Sequence, residues 1–253
     1  MAEYELIFEI VYIFIFGAII GSFGNVLIVR IPKDESIIKP ASHCPKCKTP
    51  LKAYHNIPIL SWVFLRGKCA SCQLPIPITY PLVELFSAIL FIVIYLQMGI
   101  SIFSLFTALT FFLLLVLSTI DIAYKAVPDH INLPAVITAL LSSPFLFTNL
   151  ESALLIAGTL AMLRFFTSWI AGKEALGEGD IIVGATMGAI IGISGSLAAI
   201  FVASLIALPF GLYDRFKNKE PEIPFIPFLA LGTFIIFLIG DVSHYLPSYY
   251  FAR

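Results

Sequence analysis

The sequence predicts an all-α polytopic membrane protein of about eight transmembrane helices, with a long cysteine-containing loop between the first two. Three observations support this fold class. Hydrophobic residues make up 59% of the 253 residues and charged residues only 12%, whereas soluble domains have roughly half apolar and about a quarter charged residues. The mean hydropathy is +0.98. The apolar residues also fall in stretches of about 20 residues, the length that crosses a bilayer as a helix.

Eight such stretches are separated by polar, proline-containing or glycine-containing segments. Within 181–213 the division rests on Gly192-Ile193-Ser194-Gly195, which predicts either a tight turn between two spans or a weak point in one helix. A single helix over this segment would be about 50 Å long, so we favour two spans. The predicted spans are 6–29, 81–98, 102–120, 132–149, 152–171, 181–194, 195–213 and 225–243.

The lysines and arginines set the predicted orientation, because short loops rich in these residues stay in the cytoplasm. With the N-terminus outside and eight spans, the 30–80 loop and three later loops are all cytoplasmic. Together they hold 13 of the 15 basic residues, eight of them in the first loop. No run of like charges is long enough to predict nucleic-acid binding. This composition predicts that membrane lipid surrounds the protein.

Four cysteines in the 30–80 loop form two C-x-x-C pairs separated by 21 residues. Four-cysteine zinc sites have this pattern, usually with about 15–20 residues between the pairs. Two disulfides are the alternative, but a cytoplasmic loop is reducing and disfavours them. His43 and His55 could each replace one ligand. The predicted zinc ligands are Cys44, Cys47, Cys69 and Cys72.

Two carboxylates are predicted at the cytoplasmic ends of spans that are far apart in the chain. Asp121 ends the third span, and Asp180 follows Gly177-Glu178-Gly179 at the start of the sixth. Two acids that share one proton can activate water and protonate a carbonyl oxygen, as an aspartic protease requires. Both could instead be ordinary helix caps. Asp129 follows a proline in the loop and is expected to cap the next helix.

Other polar side chains lie near the ends of the remaining spans. Asn25, at the end of the first span, must find a partner or face water. Glu84 either interacts with its helix N-terminus or belongs to a site. Arg164 either reaches the membrane interface or neighbours the acids. Prolines between 221 and 227 interrupt the last span, and such breaks usually line a cavity, here expected beside the acids.

Taken in order, these motifs resemble those of the bacterial prepilin peptidases, also called type IV leader peptidases. The resemblance covers nearly the whole chain and includes the cysteine loop. Each motif alone is modest, but their order along the chain is specific. The matching segments are Gly21-Ser22-Phe23-x-Asn25-Val26, Tyr80-Pro81-Leu82-Val83-Glu84-Leu85, Ile120-Asp121, Pro128-Asp129, Gly177-x-Gly179-Asp180 and Pro224-Phe225-x-Pro227-Phe228-Leu229-Ala230-Leu231-Gly232.

The resemblance implies an intramembrane aspartic endopeptidase of the bacterial inner membrane that cuts prepilins or pseudopilins at the cytoplasmic face. Asp121 and Asp180 match the catalytic aspartates of the family. Members with the four cysteines also methylate the new N-terminal amine with S-adenosylmethionine, so the chain resembles the bifunctional form. The supporting residues are expected to be Gly177, Gly179, Asp129, Glu84 and Asn25.

The same resemblance predicts a division into the first transmembrane helix (1–29), a zinc loop linked to methyl transfer (30–80) and a helical peptidase domain (81–253). The chain departs from the family pattern at Ile182, where lysine is usual, and at Gly24, where a bulky residue is commoner. No lysine at position 182 can therefore pair with an acid in this protein.

Two alternatives use the same features. An ion- or proton-coupled transporter would also have paired intramembrane aspartates, glycine and proline breaks, and about eight spans. Transport sites lie near the bilayer midplane, whereas both acids are predicted at the cytoplasmic rim, which favours the peptidase. A zinc-loop scaffold without catalytic activity would leave both aspartates dispensable.

Overall fold

The computed structural model describes residues 2–44, 46–172, 176–217 and 223–240, and within these ranges the regular structure is helical, without a β-strand. Short 3₁₀ helices cover Ile31–Lys33 and Ala53–Asn56. The α-helices are α1 (Ala2–Arg30), α2 (Leu60–Phe64), α3 (Thr79–Met98), α4 (Ile102–Tyr124), α5 (Asp129–Leu140), α6 (Leu146–Ala171), α7 (Glu178–Lys217) and α8 (Ile226–Ile239).

Five of these helices (α1, α3, α4, α6 and α7) are long and apolar enough to cross a membrane. The predicted class, an all-α multi-pass membrane protein, is therefore confirmed. Helices α5 and α8 have 12 and 14 residues, fewer than the 17 or so that a perpendicular span needs. Each of the eight predicted spans contains a described helical segment. The number that cross the bilayer stays a prediction.

Helix α7 is interrupted at Gly192, within the segment where the sequence predicts a turn. Gly192 has φ +69° and ψ −176°, a conformation open to glycine because it has no Cβ. The whole of α7 has 40 residues and would be about 60 Å long if it were straight. The break divides α7 into a segment of 14 residues (178–191), as short as α8, and a segment of 25 residues (193–217) that is long enough to cross a bilayer.

The predicted fourth span, 132–149, is wrong in its boundaries. Helix α5 ends at Leu140 and α6 begins at Leu146, so the helical break comes before the predicted one. Pro144 disfavours helical geometry for the residue before it. The amide of Asn149 then stabilises the turn by donating to the Leu140 carbonyl (3.1 Å) and to the Ser143 hydroxyl (2.9 Å).

The chain divides into two compact units, Met1–Leu96 and Gln97–Arg253. In the first unit, α1 and α3 pack backbone to backbone. A Cβ at Gly17 would lie 2.8 Å from Ala88 Cα, and one at Gly21 would lie 2.7 Å from Glu84 Cα. The Ser87 hydroxyl donates to the Gly17 carbonyl (2.8 Å). Small residues on α1 thus permit a close helix contact, as expected for a membrane helix pair.

The second unit contains α4 to α8. Its helices also approach closely at glycines, because a Cβ at Gly188 would lie 2.4 Å from the Ser152 carbonyl oxygen on α6. A Cβ at Gly232 of α8 would lie 2.5 Å from the Ala199 carbonyl oxygen on α7. Phe111 of α4 packs against two phenylalanine rings of α8, with centroid distances of 5.2 and 5.1 Å. This packing holds the middle parts of α4, α6 and α7 and the helix α8 together.

Candidate active site and metal centre

Asp121 lies in the last turn of α4, where the apolar sequence ends. Only 6% of this residue is exposed. Its Oδ2 accepts a hydrogen bond from the backbone amide of Ile226, the first residue of α8 (3.1 Å). Because the first amides of a helix lack intrahelical acceptors, the start of α8 is a natural donor to a carboxylate. The contact orients Asp121 with a main-chain group.

Asp180 lies in the first turn of α7 and is 9% exposed. Its Oδ2 accepts a hydrogen bond from the backbone amide of Gly177 (3.0 Å). This bond closes the turn at the start of the helix. Asp180 therefore does cap α7, but as the third helical residue reaching back to the amide before the helix rather than as the N-cap residue. Capping uses one carboxylate oxygen and leaves acceptor positions on the group for another partner.

Gly179 lies where the loop before α5 touches the start of α7. A Cβ at this position would lie 2.6 Å from Cβ of Val127, so any side chain here would displace that residue. The Asn132 side chain donates to the Gly179 carbonyl (3.1 Å) and is completely buried. The second glycine of the Gly-x-Gly-Asp motif is therefore required by close packing.

Both carboxylates line one cavity of about 210 Å³ in the Gln97–Arg253 unit. The cavity also takes residues from the loop after α4 and from the proline-containing segment before α8. That segment lies beside the acids, as the prolines predict. The remaining lining residues are Lys125, Val127, Gly177, Ile223, Pro224 and Phe225. A water molecule and an extended peptide are the kinds of ligand that a small cavity with two acids can position.

Several residues in this unit have positions or contacts that differ from those predicted from the sequence, or that the sequence does not predict. Asp129 is exposed and is the first residue of α5; Pro128 is the N-cap, without a side-chain cap hydrogen bond. Arg164 forms an ion pair with the exposed Glu178 of the Gly-x-Gly-Asp motif (3.0 Å). The contacts made by Asn132 and by the Ile226 amide have no local sequence signal, since they depend on how α5, α7 and α8 pack.

Glu84 and Asn25 belong to the Met1–Leu96 unit and do not line the cavity with the two aspartates. Glu84 lies in the second turn of α3, is 8% exposed and accepts a hydrogen bond from the Ile59 amide (2.7 Å). Ile59 has a φ of +62°, a strained value for a β-branched residue. The Asn25 side chain donates to the Tyr80 carbonyl (3.0 Å). Asn25 thus fastens the two ends of the cysteine-containing loop to each other, and Glu84 fastens the middle of the loop to α3.

The two C-x-x-C segments of this loop fold into turns with the same hydrogen bonds. In each turn the amide of the first cysteine, Cys44 or Cys69, donates to the carbonyl five residues later. The residue after the second cysteine donates back to the first, and it has a positive φ of 55° at Lys48 and 58° at Gln73. A local turn therefore brings both sulfurs of each pair to one side.

The four sulfurs of Cys44, Cys47, Cys69 and Cys72 lie within 4.8 Å of one another. The Sγ atoms of Cys44 and Cys72 are 3.9 Å apart, and those of Cys47 and Cys69 are 4.0 Å apart. Tetrahedral zinc with Zn–S bonds of about 2.3 Å places sulfurs about 3.8 Å apart. Disulfides would require about 2.05 Å. The predicted clustering is confirmed, and the arrangement fits a four-thiolate metal site.

The local environment favours the thiolate form, which binds metal, at two of the cysteines but not at Cys72. A hydrogen bond with the Leu74 backbone lowers the pKa of Cys72, but burial and the neighbouring thiols outweigh it and raise that pKa to about 11. Hydrogen bonds with the side chain and the backbone of Thr49 lower the pKa of Cys47 to about 6. Backbone hydrogen bonds from Cys72 and Ser71 lower the pKa of Cys69. His43 instead pairs its Nδ1 with the Ala41 carbonyl (3.0 Å), and the cluster of the described residues that could hold a metal contains only cysteines.

Comparison with known proteins agrees with these features. Residues 15–98 match the bacterial peptidase A24 N-terminal domain, and residues 108–212 match the type IV leader peptidase family. No solved structure matches the chain significantly.

Several curated proteins named prepilin leader peptidase/N-methyltransferase are similar over most of the chain. The protein from Neisseria gonorrhoeae is 36% identical, over 90% of this chain and 89% of the relative. The protein from Bacillus subtilis (strain 168) is 36% identical, over 92% of this chain and 96% of the relative. The protein from Dichelobacter nodosus is 30% identical over 94% and 96% of the two chains. The chain therefore belongs to the type IV leader peptidase family.

Proposed function

We propose that this protein is an intramembrane aspartic endopeptidase that removes the leader of prepilins or pseudopilins and then methylates the new N-terminal amine. The observation that carries the peptidase function is the cavity shared by Asp121 and Asp180. These residues come from the end of one apolar helix and the start of another, and both are buried. Family membership favours this function over transport.

In the proposed reaction the two carboxylates hold one water molecule between them. One carboxylate accepts a proton from the water as it attacks the scissile carbonyl, and the other donates a proton to the carbonyl oxygen. The Ile226 and Gly177 amides hold one oxygen of each acid, so the acids are oriented before substrate binds. Such orientation lowers the reorganisation needed during catalysis.

The scissile bond must enter this site in an extended conformation, because a helix conceals its carbonyl groups in internal hydrogen bonds. The segment 223–225 lines the cavity and has no helical hydrogen-bonding pattern. We assign it the role of supporting the extended substrate. The apolar segment of the prepilin would lie against the membrane helices and supply affinity through lipid-like packing.

The four cysteines are proposed to bind a structural zinc ion, which would cross-link the two turns of the 30–80 loop. Bound zinc contributes directly to the folding of small loops with little core. This loop is proposed to support methyl transfer, and 81–253 to form the peptidase domain. S-adenosylmethionine, when bound, would supply the methyl group that the new N-terminal amine accepts.

The proposed location is the bacterial inner membrane, with the N-terminus outside and both aspartates at the cytoplasmic face. This orientation rests on the lysines and arginines, of which 13 of 15 fall in the loops predicted to be cytoplasmic. The membrane lipid would then surround the exposed apolar faces of the helices, which include Phe165, Trp169 and Ile170.

The proposal is tested by incubating the detergent-purified protein with a prepilin, with and without S-adenosylmethionine. Mass spectrometry should find a leaderless product in both reactions and an added methyl group on its N-terminus only when the methyl donor is present. An intact prepilin in both reactions would contradict the peptidase assignment. Cleavage without methylation would support the peptidase assignment and contradict the methyltransferase assignment.

A further inference from the structure

A second cavity, of about 380 Å³, lies in the Met1–Leu96 unit between the C-terminal half of α1 and the loop that follows it. This volume is within the range of about 300–1,000 Å³ that is typical of small-molecule sites. One face of α1, with Ser22, Val26 and Arg30, forms one wall. Loop residues around Ala41 and Asn56 form the opposite wall.

Arg30 supplies this cavity with a buried positive charge, since only 8% of the residue is exposed. Its guanidinium donates one hydrogen bond to the Ser36 carbonyl and one to the Pro40 carbonyl, both 2.8 Å long. No ion pair joins Arg30 to an acid among the described side chains. A guanidinium has five N–H donors, so several remain for a further partner.

A buried charge without a counter-ion is costly, because two carbonyl dipoles replace only part of its hydration. The cavity at Arg30 is therefore complementary to an anionic group, and a carboxylate fits a guanidinium with two parallel hydrogen bonds. The rest of the lining is mixed. Phe23, Val26 and Ile37 offer apolar surface for a flat ring, while Ser42 and Asn56 offer hydrogen-bonding groups.

We propose that this cavity is the binding site for S-adenosylmethionine, with Arg30 pairing with the carboxylate of its amino-acid part and the apolar wall covering its adenine. The ligand has one carboxylate, one flat heterocycle, two ribose hydroxyls and two cationic groups, an ammonium and a sulfonium. For these cations the lining offers the side-chain oxygens of Ser22, Ser42 and Asn56 as acceptors. This inference rests on the proposed methyltransferase function. A lipid phosphate could use the same charge, so the experiment must separate the two anions.

The test measures equilibrium binding of S-adenosylmethionine to the full-length protein in detergent, by isothermal titration calorimetry. Arg30→Gln removes the charge, and Ala41→Trp fills the cavity from its exposed edge. Arg30→Gln should weaken binding at least about tenfold, since a charged hydrogen-bonded pair contributes on that scale. Ala41→Trp should weaken binding to a similar extent, because the indole would occupy the space of the ligand. Val63→Trp is the control, because Val63 is also exposed in the loop, does not line the cavity and lies outside both C-x-x-C turns.

Bound metal, measured on each variant, reports whether the cysteine-containing loop is intact. If Arg30→Gln loses metal, its weaker binding could come from a disrupted loop. Binding of S-adenosylmethionine to Ala41→Trp and to the milder Asn56→Ala then tests the proposal. Unchanged binding in these variants would overturn the proposal. So would a selective loss of co-purifying anionic phospholipid, seen by native mass spectrometry, with S-adenosylmethionine binding retained. A wild-type protein that neither binds the donor nor methylates would instead contradict the proposed methyltransferase function itself.

Discussion

In the Met1–Leu96 unit, four sulfurs are brought together by two local turns, each closed by hydrogen bonds within six residues. In the Gln97–Arg253 unit, two carboxylates come from α4 and α7 and meet through the packing of several helices. The first arrangement is built by short segments of the loop alone. The second needs the whole helical unit, so distant packing changes should affect the carboxylates more than the sulfurs.

The two regions are also expected to differ in whether their folded structure depends on a bound metal. The cysteine-containing loop has short helices and much exposed apolar surface, as at Phe64, which is 81% exposed. Its order should therefore depend on metal. The carboxylate cavity rests on side chains that are almost fully buried, such as Ile120 and Val183. Its geometry should persist without a ligand.

The largest expected effect comes from removing either acid. Asp121→Asn and Asp180→Asn keep the side-chain shape but abolish proton transfer, so leader cleavage should fall about 100- to 10,000-fold. Initial rates on a purified prepilin measure this loss, and the metal content of both variants should not change. Asp129→Asn is the control, since Asp129 is exposed and outside the cavity. Full cleavage by both variants would refute the assignment.

The second prediction concerns the metal. Replacing Cys44 and Cys47 with serine removes two of four thiolates, so the purified variant should contain much less zinc than the wild-type protein. Methylation should then fall more strongly than leader cleavage, because only the loop depends on the ion. Elemental analysis and product mass measure the two effects. Ser71→Ala in the same loop is the control and should retain metal. Equal loss of both activities would mean that the two regions are not separable.

A smaller effect is expected for Gly179→Ala. The new methyl group would lie 2.6 Å from Cβ of Val127, and overpacking of this kind costs about 1–3 kcal/mol. Cleavage, measured as kcat/KM, should fall by up to about 150-fold, the limit reached when the whole cost is expressed as displacement of the turn that holds Asp180. The double variant with Val127→Ala should recover much of the loss. Gly158→Ala is a neutral control, because no atom lies within 4 Å of its Cβ position. Failure of the double variant to recover would contradict a steric cause.

The smallest effect is expected for the ion pair between Arg164 and Glu178. Glu178 is 82% exposed at its side chain, and such pairs contribute about 0–1 kcal/mol. Arg164→Gln should therefore change cleavage by less than about fivefold. A double-mutant cycle with Glu178→Gln isolates the pair from other contacts of either residue. A coupling well above this range would show that the pair positions the motif.

Much of this architecture could be predicted from the sequence because its signals are local. Apolar length predicts the helices, C-x-x-C spacing predicts the sulfur cluster, and glycine predicts the break at position 192. The end of α5 at Leu140 is harder to predict, since Ser143 and Asn149 form their hydrogen bonds only after both helices have folded.

The candidate site shows the same limit. Charge and span counting are enough to predict that Asp121 and Asp180 lie on one side of the membrane. Their immediate partners are the Gly177 and Ile226 amides, and every residue except proline has such an amide. The contacts of Asn132 with Gly179 and of Glu84 with Ile59 likewise join segments distant in sequence. No periodicity or residue spacing in the sequence predicts these contacts.

The hydrogen bond from the Ile226 amide to Asp121 has a consequence for how this site can be studied. Alanine scanning leaves the donor in place, because the main chain supplies it whatever the side chain. Ile226 itself is 1% exposed, so variation at this position would report packing rather than chemistry. Only proline deletes the N–H, and proline suits the first position of a helix. The function of this hydrogen bond is therefore tested by removing the main-chain N–H at the start of α8, and not by changing the side chain.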